Sequence, residues 1–173
     1  MSFRFTFGNV GSRTELRQTI DFLAKQGLGY RNYDSWVQKT ESEIDLGIKT
    51  AIIALSEGKI VGDLIYHHHK ILPGVIELKN LRIHPEIRGR YFAPFMLRQV
   101  ECENPNCDLI MGDARSDQRE IARLMLGSGY YVLKGEVRLY DKNNQDVVFM
   151  KQVGKNREII CKAKNLVLTQ NLQ

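Results

Sequence analysis

A short basic loop between an apolar strand and a helix is the part of this sequence best suited to chemistry. Leu81 and Ile83 lie in the strand, and the loop that follows it carries Arg88, Gly89 and Arg90. Backbone N–H groups at the start of a helix point outward, and the helix dipole favours negative charge there. The two arginines add positive charge to those donors. The sequence therefore predicts a site for a phosphate or a pyrophosphate in this loop.

The strand that leads into the loop has an irregular hydrophobic pattern. Ile76 and Leu78 are apolar residues at even positions, whereas Leu81 and Ile83 are apolar residues at odd positions. Successive side chains of a strand point to opposite faces, so this change of parity requires one extra residue near residues 79–80. We expect a β-bulge there, which splays the strand from its neighbour and frees backbone groups.

Alternating strands and helices must position this loop. Apolar residues with a period of two indicate strands, and apolar residues three or four positions apart indicate helices. The pattern predicts strands at residues 3–7, 51–55, 60–66, 76–83, 108–112, 130–140 and 147–153, and helices at residues 12–27, 34–47, 92–100 and 117–129. The last segment, residues 154–173, has apolar pieces but no pattern that settles its conformation.

Polar residues mark the starts of three of these helices. Ser12 and Glu15 have the capping-box spacing, in which each side chain accepts a hydrogen bond from a free N–H group of the first turn. Asp34 is placed to cap the second helix, and Asp117 with Glu120 to cap the last one.

Composition indicates an ordinary globular chain of one domain. It has 173 residues, 43% of them hydrophobic and 26% charged, which is enough to bury a core without disulfides. The sequence has no signal-peptide pattern and no apolar run of about 20 residues, so we expect neither secretion nor a membrane partner. Its three cysteines favour free thiols and a cytoplasmic location.

The net charge of +5 is concentrated at the C-terminus. Residues 151–173 hold five basic side chains against one acidic side chain, which accounts for four of the five charges. A basic end of this kind is more often a solvated terminus than a nucleic-acid footprint, which normally clusters on one face. Nucleic acid is therefore the less favoured partner.

The order of elements, the bulged strand and the basic loop together resemble the GNAT superfamily of acyl-CoA-dependent N-acyltransferases. The family's loop reads Gln or Arg, two residues, Gly, one residue, then Gly or Ala. Arg88 and Ala93 fit this frame, whereas Tyr91 stands where the family has its central glycine. A side chain at that place either narrows the cradle for the pyrophosphate or is accommodated by an ordinary helical φ.

The resemblance implies an α/β (α+β) fold. Its centre is a mixed, mostly antiparallel sheet of six to seven strands, with about four helices on both faces and with strands 4 and 5 splayed apart. Residues 1–153 are the GNAT acetyltransferase domain in this interpretation, and residues 154–173 are a basic C-terminal tail.

The resemblance also implies acetyl-CoA as a cofactor that is used as a co-substrate. Its pyrophosphate is expected on the N–H groups of residues 88–93, and its pantetheine arm is expected to pair with the strand edge at Leu81 and Ile83. The implied cofactor-binding residues are Leu81, Arg82, Ile83, Arg88, Gly89, Arg90, Tyr91, Phe92, Ala93 and Gln118. The alternative is an ordinary strand–helix connection with two solvated arginines.

Catalysis in this family is direct attack of an amine on the thioester, which needs a base and a proton for the leaving thiolate. Glu77 is the candidate base, because several family members have a glutamate at this place in the bulged strand. A carboxylate among apolar neighbours suits that role. The alternative is a surface glutamate that alternates with Lys79 along the strand and pairs across the sheet.

The proton donor is harder to place. Aligning Tyr130 on the family's usual helix end puts Gln118 where the family often has an asparagine and Met125 where it often has a tyrosine. Methionine cannot donate a proton. Tyr130 is then the catalytic candidate, with Tyr131, Ser128 or solvent as alternatives, unless catalysis is lost.

Two groups of residues with metal-binding chemistry do not have the pattern of a site. His67, His68 and His69 are neighbours in a strand, so their side chains alternate between faces and do not converge easily. Cys102 and Cys107 flank a loop without the two further ligands that zinc needs. We expect no bound metal, and assistance in proton transfer is left open for one histidine.

Three functions are compatible with these patterns. The first is an N-acetyltransferase that moves an acetyl group from acetyl-CoA to a primary amine of a small molecule or a protein. The second is a module that keeps the GNAT fold and CoA binding, has weak or no catalysis, and acts through protein contacts. The third is an acetyltransferase for an RNA-linked amine, which only the basic tail supports. No pattern identifies the acceptor, and a homodimer is left open.

Overall fold

The protein is described here by a computed structural model of residues 5–25, 32–139 and 145–169. Its strands are β1 (Phe5–Asn9), β2 (Thr50–Ser56), β3 (Lys59–His68), β4 (Val75–Ile83), β5 (Leu109–Arg115), β6 (Tyr131–Val137) and β7 (Asp146–Gln152). Its helices are α1 (Arg13–Ala24), α2 (Tyr33–Asp45), α3 (Phe92–Glu103), α4 (Arg119–Gly127) and α5 (Arg157–Thr169), with a single 3-10 turn at Pro85–Ile87. None of these helices is long and apolar enough to cross a bilayer.

The seven strands form one sheet in the order β1-β2-β3-β4-β5-β7-β6. Strands β4 and β5 pair in parallel, whereas β1–β2, β2–β3, β5–β7 and β6–β7 pair antiparallel. The parallel register joins residues 75–78 to residues 109–112, and β4 then continues to Ile83. The predicted fold class, a mixed and mostly antiparallel sheet of six to seven strands, is confirmed, whereas the splay of strands 4 and 5 stays a prediction. The bulge near residues 79–80 stays a prediction.

The chain divides into two compact units, and two of the boundaries between their residues fall within β4 and within α3. The first unit contains Met1–His67 and Asn80–Met96, and the second contains His68–Lys79 and Leu97–Gln173. Strand β4 therefore contributes its first five residues to one unit and its last four to the other.

In the first unit, α1 and α2 pack on the strands through an apolar cluster. Its buried members are Leu23, Val37, Ala51 and Ile65, with Val10, Ile20, Tyr33, Trp36 and Ile44 partly buried around them. Burying an aliphatic side chain of this size contributes about 1.5–3 kcal/mol. The cluster therefore fixes both helices on the face of the sheet that carries Ile65.

The β2–β3 hairpin sets which β3 side chains reach that face. Glu57 and Gly58 form its two-residue loop, with φ of 51° and 76°, and Ser56 lies opposite Lys59. Two left-handed residues in succession are the requirement of a type I′ turn, which matches the twist of the flanking strands. The pairing then shifts by one residue at Val61, because Leu55 lies opposite Ile60 and Ala54 lies opposite Gly62. Beyond this shift, Asp63 lies on the same face as Ile65.

In the second unit, residues whose conformation the sequence leaves open form α5. Its apolar face joins one cluster with strands β4 to β7, whose buried members are Val75, Leu109, Met111, Val137, Val148, Met150, Ile160, Ala163 and Val167. The carboxylate of Asp108 accepts from the N–H of Asn156 at 3.1 Å just before the helix. Gly154 makes this approach possible, because a Cβ there would lie 2.2 Å from Asp108 Oδ1.

Local capping follows the sequence at α1 and departs from it elsewhere. Ser12 Oγ accepts from the N–H of Glu15 at 3.2 Å, which confirms the first half of the capping box. Glu15 Oε2 accepts from the N–H of Gly11 at 2.8 Å. The prediction that Asp34 caps α2 is wrong, because the N-cap residue is Asn32.

The prediction that Asp117 and Glu120 cap α4 is also wrong. The N-cap residue is Gln118, and Asp117 pairs with Arg115 instead. The predicted start of the first strand and the predicted end of the first helix at residue 27 lie outside the described residues; α1 ends at Ala24.

Candidate functional site

The basic loop of the first unit reaches α3 through two left-handed residues. After the 3-10 turn, Gly89 has φ of 78° and Tyr91 has φ of 64°, and α3 begins at Phe92. The N–H of Phe95 donates to the carbonyl of Tyr91 at 3.1 Å and starts the helical ladder. The N–H groups before it belong to the first turn, where the helix itself supplies no acceptors. An added Cβ at Gly89 meets nothing within 4 Å, so that side of the loop is open.

Tyr91 keeps the backbone conformation of a glycine. An ordinary helical φ was one way to accommodate a side chain here, and that expectation is wrong. A left-handed conformation costs an L-residue other than glycine about 1–2 kcal/mol. The side chain is 73% exposed. Tyr91 therefore takes up a left-handed backbone conformation and adds an exposed ring to the surface of the loop.

Both arginines of the loop are exposed. Arg88 turns back towards β4, where its Nε donates to the carbonyl of Ile83 at 3.3 Å. Arg90 lies between Gly89 and Tyr91. A guanidinium group remains charged at any physiological pH and offers several donors to a phosphate.

The end of β4 has defined partners in the same unit. The N–H of His84 donates to the carbonyl of Val61 at 2.8 Å. Leu81 is half-buried and Ile83 is buried. A ligand that pairs with this stretch of strand would share the Ile83 carbonyl with Arg88, which a carbonyl with two lone pairs permits.

Arg82 points into a buried polar cluster that sequence reasoning missed. Its side chain is only 7% exposed, and its Nε donates to Asn80 Oδ1 at 2.9 Å. The amide of Asn80 in turn donates to Asp63 Oδ2. We call Asp63, Asn80, Arg82 and Tyr33 the β3–β4 polar cluster. A single acidic residue in the apolar run of β3 was the signal for it in the sequence.

The cluster also contacts the end of α1 and the start of α2. Arg82 Nη1 donates to the carbonyl of Leu23 at 3.4 Å, and the Tyr33 hydroxyl donates to the same oxygen at 2.9 Å. The Arg82 guanidinium lies 5.0 Å from the centre of the Tyr33 ring, within range of a cation–π interaction. Arg82, predicted as a cofactor-binding residue, thus uses its side chain to hold two helices.

Burial governs the charge of Asp63. It raises the pKa of this carboxyl to about 7, against the hydrogen bond from Asn80 and the charge of Arg82. Oδ1 of Asp63 has no hydrogen-bond partner among the described residues. Burial likewise raises the pKa of Tyr33. The cluster is therefore a buried hydrogen-bond network in which one acceptor, Oδ1 of Asp63, has no donor among the described residues.

In the second unit, Glu77 lies between two donors. Its Oε2 is 2.6 Å from Lys79 Nζ, and its Oε1 is 3.2 Å from His69 Nε2. The side chain is 23% exposed. Glu77 therefore pairs with Lys79 of its own strand and with a histidine of the preceding turn. The lysine ammonium stabilises the charged carboxylate.

The two other predicted residues of this unit differ in exposure. Gln118 is the exposed N-cap of α4, and its N–H donates to the carbonyl of Arg115 at 3.0 Å. Tyr130 is buried, and its hydroxyl has no hydrogen-bond partner among the described residues. Lys151 Nζ lies 5.6 Å from the Tyr130 ring centre. Burial raises the pKa of Tyr130 above its usual value, which argues against its service as a proton donor.

Met125 belongs to the core. It is 4% exposed, and its terminal methyl would lie 3.5 Å from a Cβ added at Gly112. The residue that the resemblance aligns with a tyrosine is therefore an apolar side chain that packs beside β5. Met125 does not supply a proton.

No group of three metal-ligating side chains occurs in the described ranges. Nδ1 of His69 accepts from the N–H groups of Ile71 and Leu72, both at 3.1 Å. The cysteines Cys102, Cys107 and Cys161 are free, and only Cys107 is buried.

No family model matches this chain, and no curated protein matches it. Solved structures do. A GNAT-family protein from Desulfovibrio desulfuricans has a TM-score of 0.76 at 11% identity, over 87% of this chain and 99% of that one. The ribosomal-protein-S18-alanine N-acetyltransferase of Escherichia coli has a TM-score of 0.70 at 11% identity, over 88% and 96%.

A third structure, from Salmonella typhimurium, was solved with its cofactor acetyl-CoA. Its TM-score is 0.65 at 12% identity, over 90% of this chain and 96% of that one. Likeness at such low identity concerns the path of the backbone. Together with the strand order and the parallel β4–β5 pair, it shows that this chain has the fold of the GNAT acetyltransferases.

Proposed function

We propose that this chain is an N-acetyltransferase that moves an acetyl group from acetyl-CoA to a primary amine. The observation that carries the proposal is the loop before α3, which lies in a GNAT fold. Two of its residues have a left-handed backbone conformation, and two exposed arginines lie in it. A fold hosts many functions, so the proposal rests on this loop rather than on the fold alone.

The loop has the chemistry that a pyrophosphate needs. N–H groups of the first helical turn and the helix dipole favour an anion at this place. Arg88 and Arg90 supply charge-assisted donors beside them. The open side of Gly89 leaves room for a ligand close to the backbone. Residues 88–93 are therefore proposed to hold the diphosphate, with Leu81 and Ile83 pairing with the amide-bearing arm.

Glu77 is proposed as the base. Acetyl-CoA supplies the acetyl group as a thioester, which the amine attacks directly. Glu77 accepts one proton from the attacking amine as the new carbon–nitrogen bond forms and the carbon–sulfur bond breaks. The leaving sulfur takes its proton from solvent, because the described structure buries both Met125 and the Tyr130 hydroxyl.

Calorimetric titration of acetyl-CoA tests the cofactor proposal. We expect the wild-type protein to bind one acetyl-CoA per chain, and R88E to bind it at least about ten-fold more weakly, because one charge-assisted contact is replaced by repulsion. R17E is the matched control, since Arg17 is an exposed arginine of α1 whose reversal changes the net charge equally. Its affinity should match that of the wild type.

Absence of heat with the wild-type protein would rule out the cofactor proposal. Equal weakening by R88E and R17E would show a general effect of net charge, because long-range electrostatics does not distinguish the two sites.

Turnover tests the reaction. Release of free CoA is measured with spermidine, lysine and an alanine-initiated peptide as primary amines of three kinds. We expect E77Q to lower kcat by a factor of about 10²–10⁴, as loss of a general base does. E57Q is the control, because Glu57 is an exposed residue of the β2–β3 turn.

A CoA-binding module that acts through protein contacts is the second candidate. Two side chains favour it, because Met125 has no proton to give and the Tyr130 hydroxyl is buried. Binding of acetyl-CoA without acetyl transfer to any of the three amines is the result that this candidate requires.

A further inference from the structure

The turn between β3 and β4 is closed by a histidine ring. The backbone N–H of His69 donates to the carbonyl of Val75 at 2.8 Å. Its Nδ1 accepts from the N–H groups of Ile71 and Leu72, each at 3.1 Å. The side chain is only 10% exposed. The ring therefore accepts two hydrogen bonds from its own turn, and the backbone of the same residue makes a third.

These contacts determine which ring nitrogen carries the proton. A nitrogen that accepts from two N–H groups must present its lone pair, so Nδ1 is unprotonated. A neutral imidazole has one donor and one acceptor nitrogen, so the proton is on Nε2. Nε2 lies 3.2 Å from Glu77 Oε1 and donates to it. The direction of the His69–Glu77 hydrogen bond thus follows from the backbone of the turn.

The carboxylate of Glu77 is held at both oxygens. His69 donates to Oε1, and Lys79 Nζ lies 2.6 Å from Oε2. The two donors come from different elements, the turn and the strand itself. A carboxylate held at both oxygens has a restricted plane. Orientation of a catalytic group changes rates strongly, since a misplacement of about 1 Å can cost about 100-fold.

We propose that His69 is a positioning residue, which holds the Glu77 carboxylate in one orientation for proton transfer from the acceptor amine. The inference rests on the proposed function, because it needs Glu77 to act as the base. His69 does not carry the proton onward, because a proton on Nδ1 would break both hydrogen bonds from the turn.

Two substitutions separate the turn contacts from the Glu77 contact. Asparagine places its Oδ1 where His69 has Nδ1, so H69N keeps an acceptor for the two N–H groups but has no atom that reaches Glu77. Glutamine places an amide donor near the position of Nε2, so H69Q can restore that contact. H68N is the matched control, because His68 is the exposed neighbour in the same chain segment.

Turnover is measured with the best of the three amines, spermidine, lysine or the alanine-initiated peptide, and with acetyl-CoA. We expect H69N to lower kcat by about 10- to 100-fold, with the KM for acetyl-CoA within about two-fold of the wild type. H69Q should recover part of the loss, and H68N should match the wild type. In the E77Q background H69N should cause no further loss, because residues that act as a unit are not additive.

The protonation of the ring gives a readout that does not depend on turnover. Long-range ¹H–¹⁵N correlation spectra of the full chain near pH 8 should show His69 with an unprotonated Nδ1 and a protonated Nε2. E77Q should shift the Nε2 signal, because the charged acceptor is replaced by a neutral one. A ring protonated on Nδ1 would overturn the proposal.

The two proposals fail in different ways. If the wild-type protein transfers acetyl groups and H69N does so equally well, the positioning role is wrong and the proposed function stands. If H69N loses as much activity in the E77Q background as in the wild type, His69 acts through something other than Glu77 and the inference is overturned. If the wild-type protein transfers no acetyl group, the proposed function fails and the positioning role fails with it.

Discussion

Tyr91 combines the backbone conformation of a glycine with a large side chain. Its φ is 64°, close to the 78° of Gly89 two residues earlier. The pair turns the chain from the end of the 3-10 turn into α3. The sequence identifies the departure from the family's glycine, but φ follows from the surrounding loop and cannot be read from the residue type. The strain at Tyr91 therefore became visible only in the structure.

Removing this strain should change stability in a predictable direction. We expect Y91G to be more stable than Y91A by about 1 kcal/mol, because both lose the ring but only glycine adopts a positive φ without steric cost. Urea unfolding of the two variants measures the difference. Equal free energies of unfolding would mean that the left-handed conformation is not imposed at residue 91. The comparison avoids the wild type, in which the ring adds its own contribution.

The features of the helices and strands that are best predicted from the sequence are those that depend on residues close together in the chain. The capping box at Ser12 and Glu15 depends on contacts three residues apart, and the structure has the first of its two hydrogen bonds. The cap of α4 depends on tertiary context, because Asp117 is drawn to Arg115 by an ion pair. The single acid in the apolar run of β3 indicates a buried carboxylate, but its partners lie 17 and 19 residues further along the chain, so no local pattern identifies them.

Helix α5 shows the same limit for a whole element. The basic residues of segment 154–173 favour a solvated tail. The apolar residues Ile160, Ala163 and Val167 of the same segment, however, recur at helical spacing. That spacing is informative only when a partner surface exists. The surface is made by strands β4 to β7, which are assembled from distant parts of the chain.

We expect I160A to lower the free energy of unfolding by about 2–4 kcal/mol, because it removes a buried side chain and leaves a cavity. K162A is the control on the same helix. Lys162 is exposed and pairs only at the surface with Glu158, so its loss should cost less than about 1 kcal/mol. Chemical unfolding of both variants measures the contrast. If I160A costs no more than K162A, α5 does not stabilise the fold.

At the scale of the whole molecule, Asp63 links folding to pH. The pKa of this carboxyl is about 7 in the folded protein and 3.8 in its unperturbed state, because burial disfavours the charge. Between these values the folded state binds more protons than the unfolded state. Stability from this group is therefore full below pH 4 and is lost as the pH rises towards 7.

The expected loss is up to about 4 kcal/mol, from a shift of about three pKa units at 1.36 kcal/mol each. Urea unfolding of the wild type and of D63N at several pH values between 4.5 and 7.5 measures it. The difference between the two slopes isolates Asp63, because the other titrating groups are common to both proteins. Parallel pH dependences would mean that Asp63 is ionised throughout this range.

The hairpin of β2 and β3 already takes up one extra residue on its way to the interior. Leu55 lies opposite Ile60, whereas Ala54 lies opposite Gly62, so Val61 has no partner of its own across the pair. A β-bulge of this kind lets the surface turn and the inner part of β3 each keep a separate register. The place of the interior acid is thus decoupled from the exposed turn, and an insertion in that turn should disturb Asp63 less than a slip in the pairing of residues 62–66.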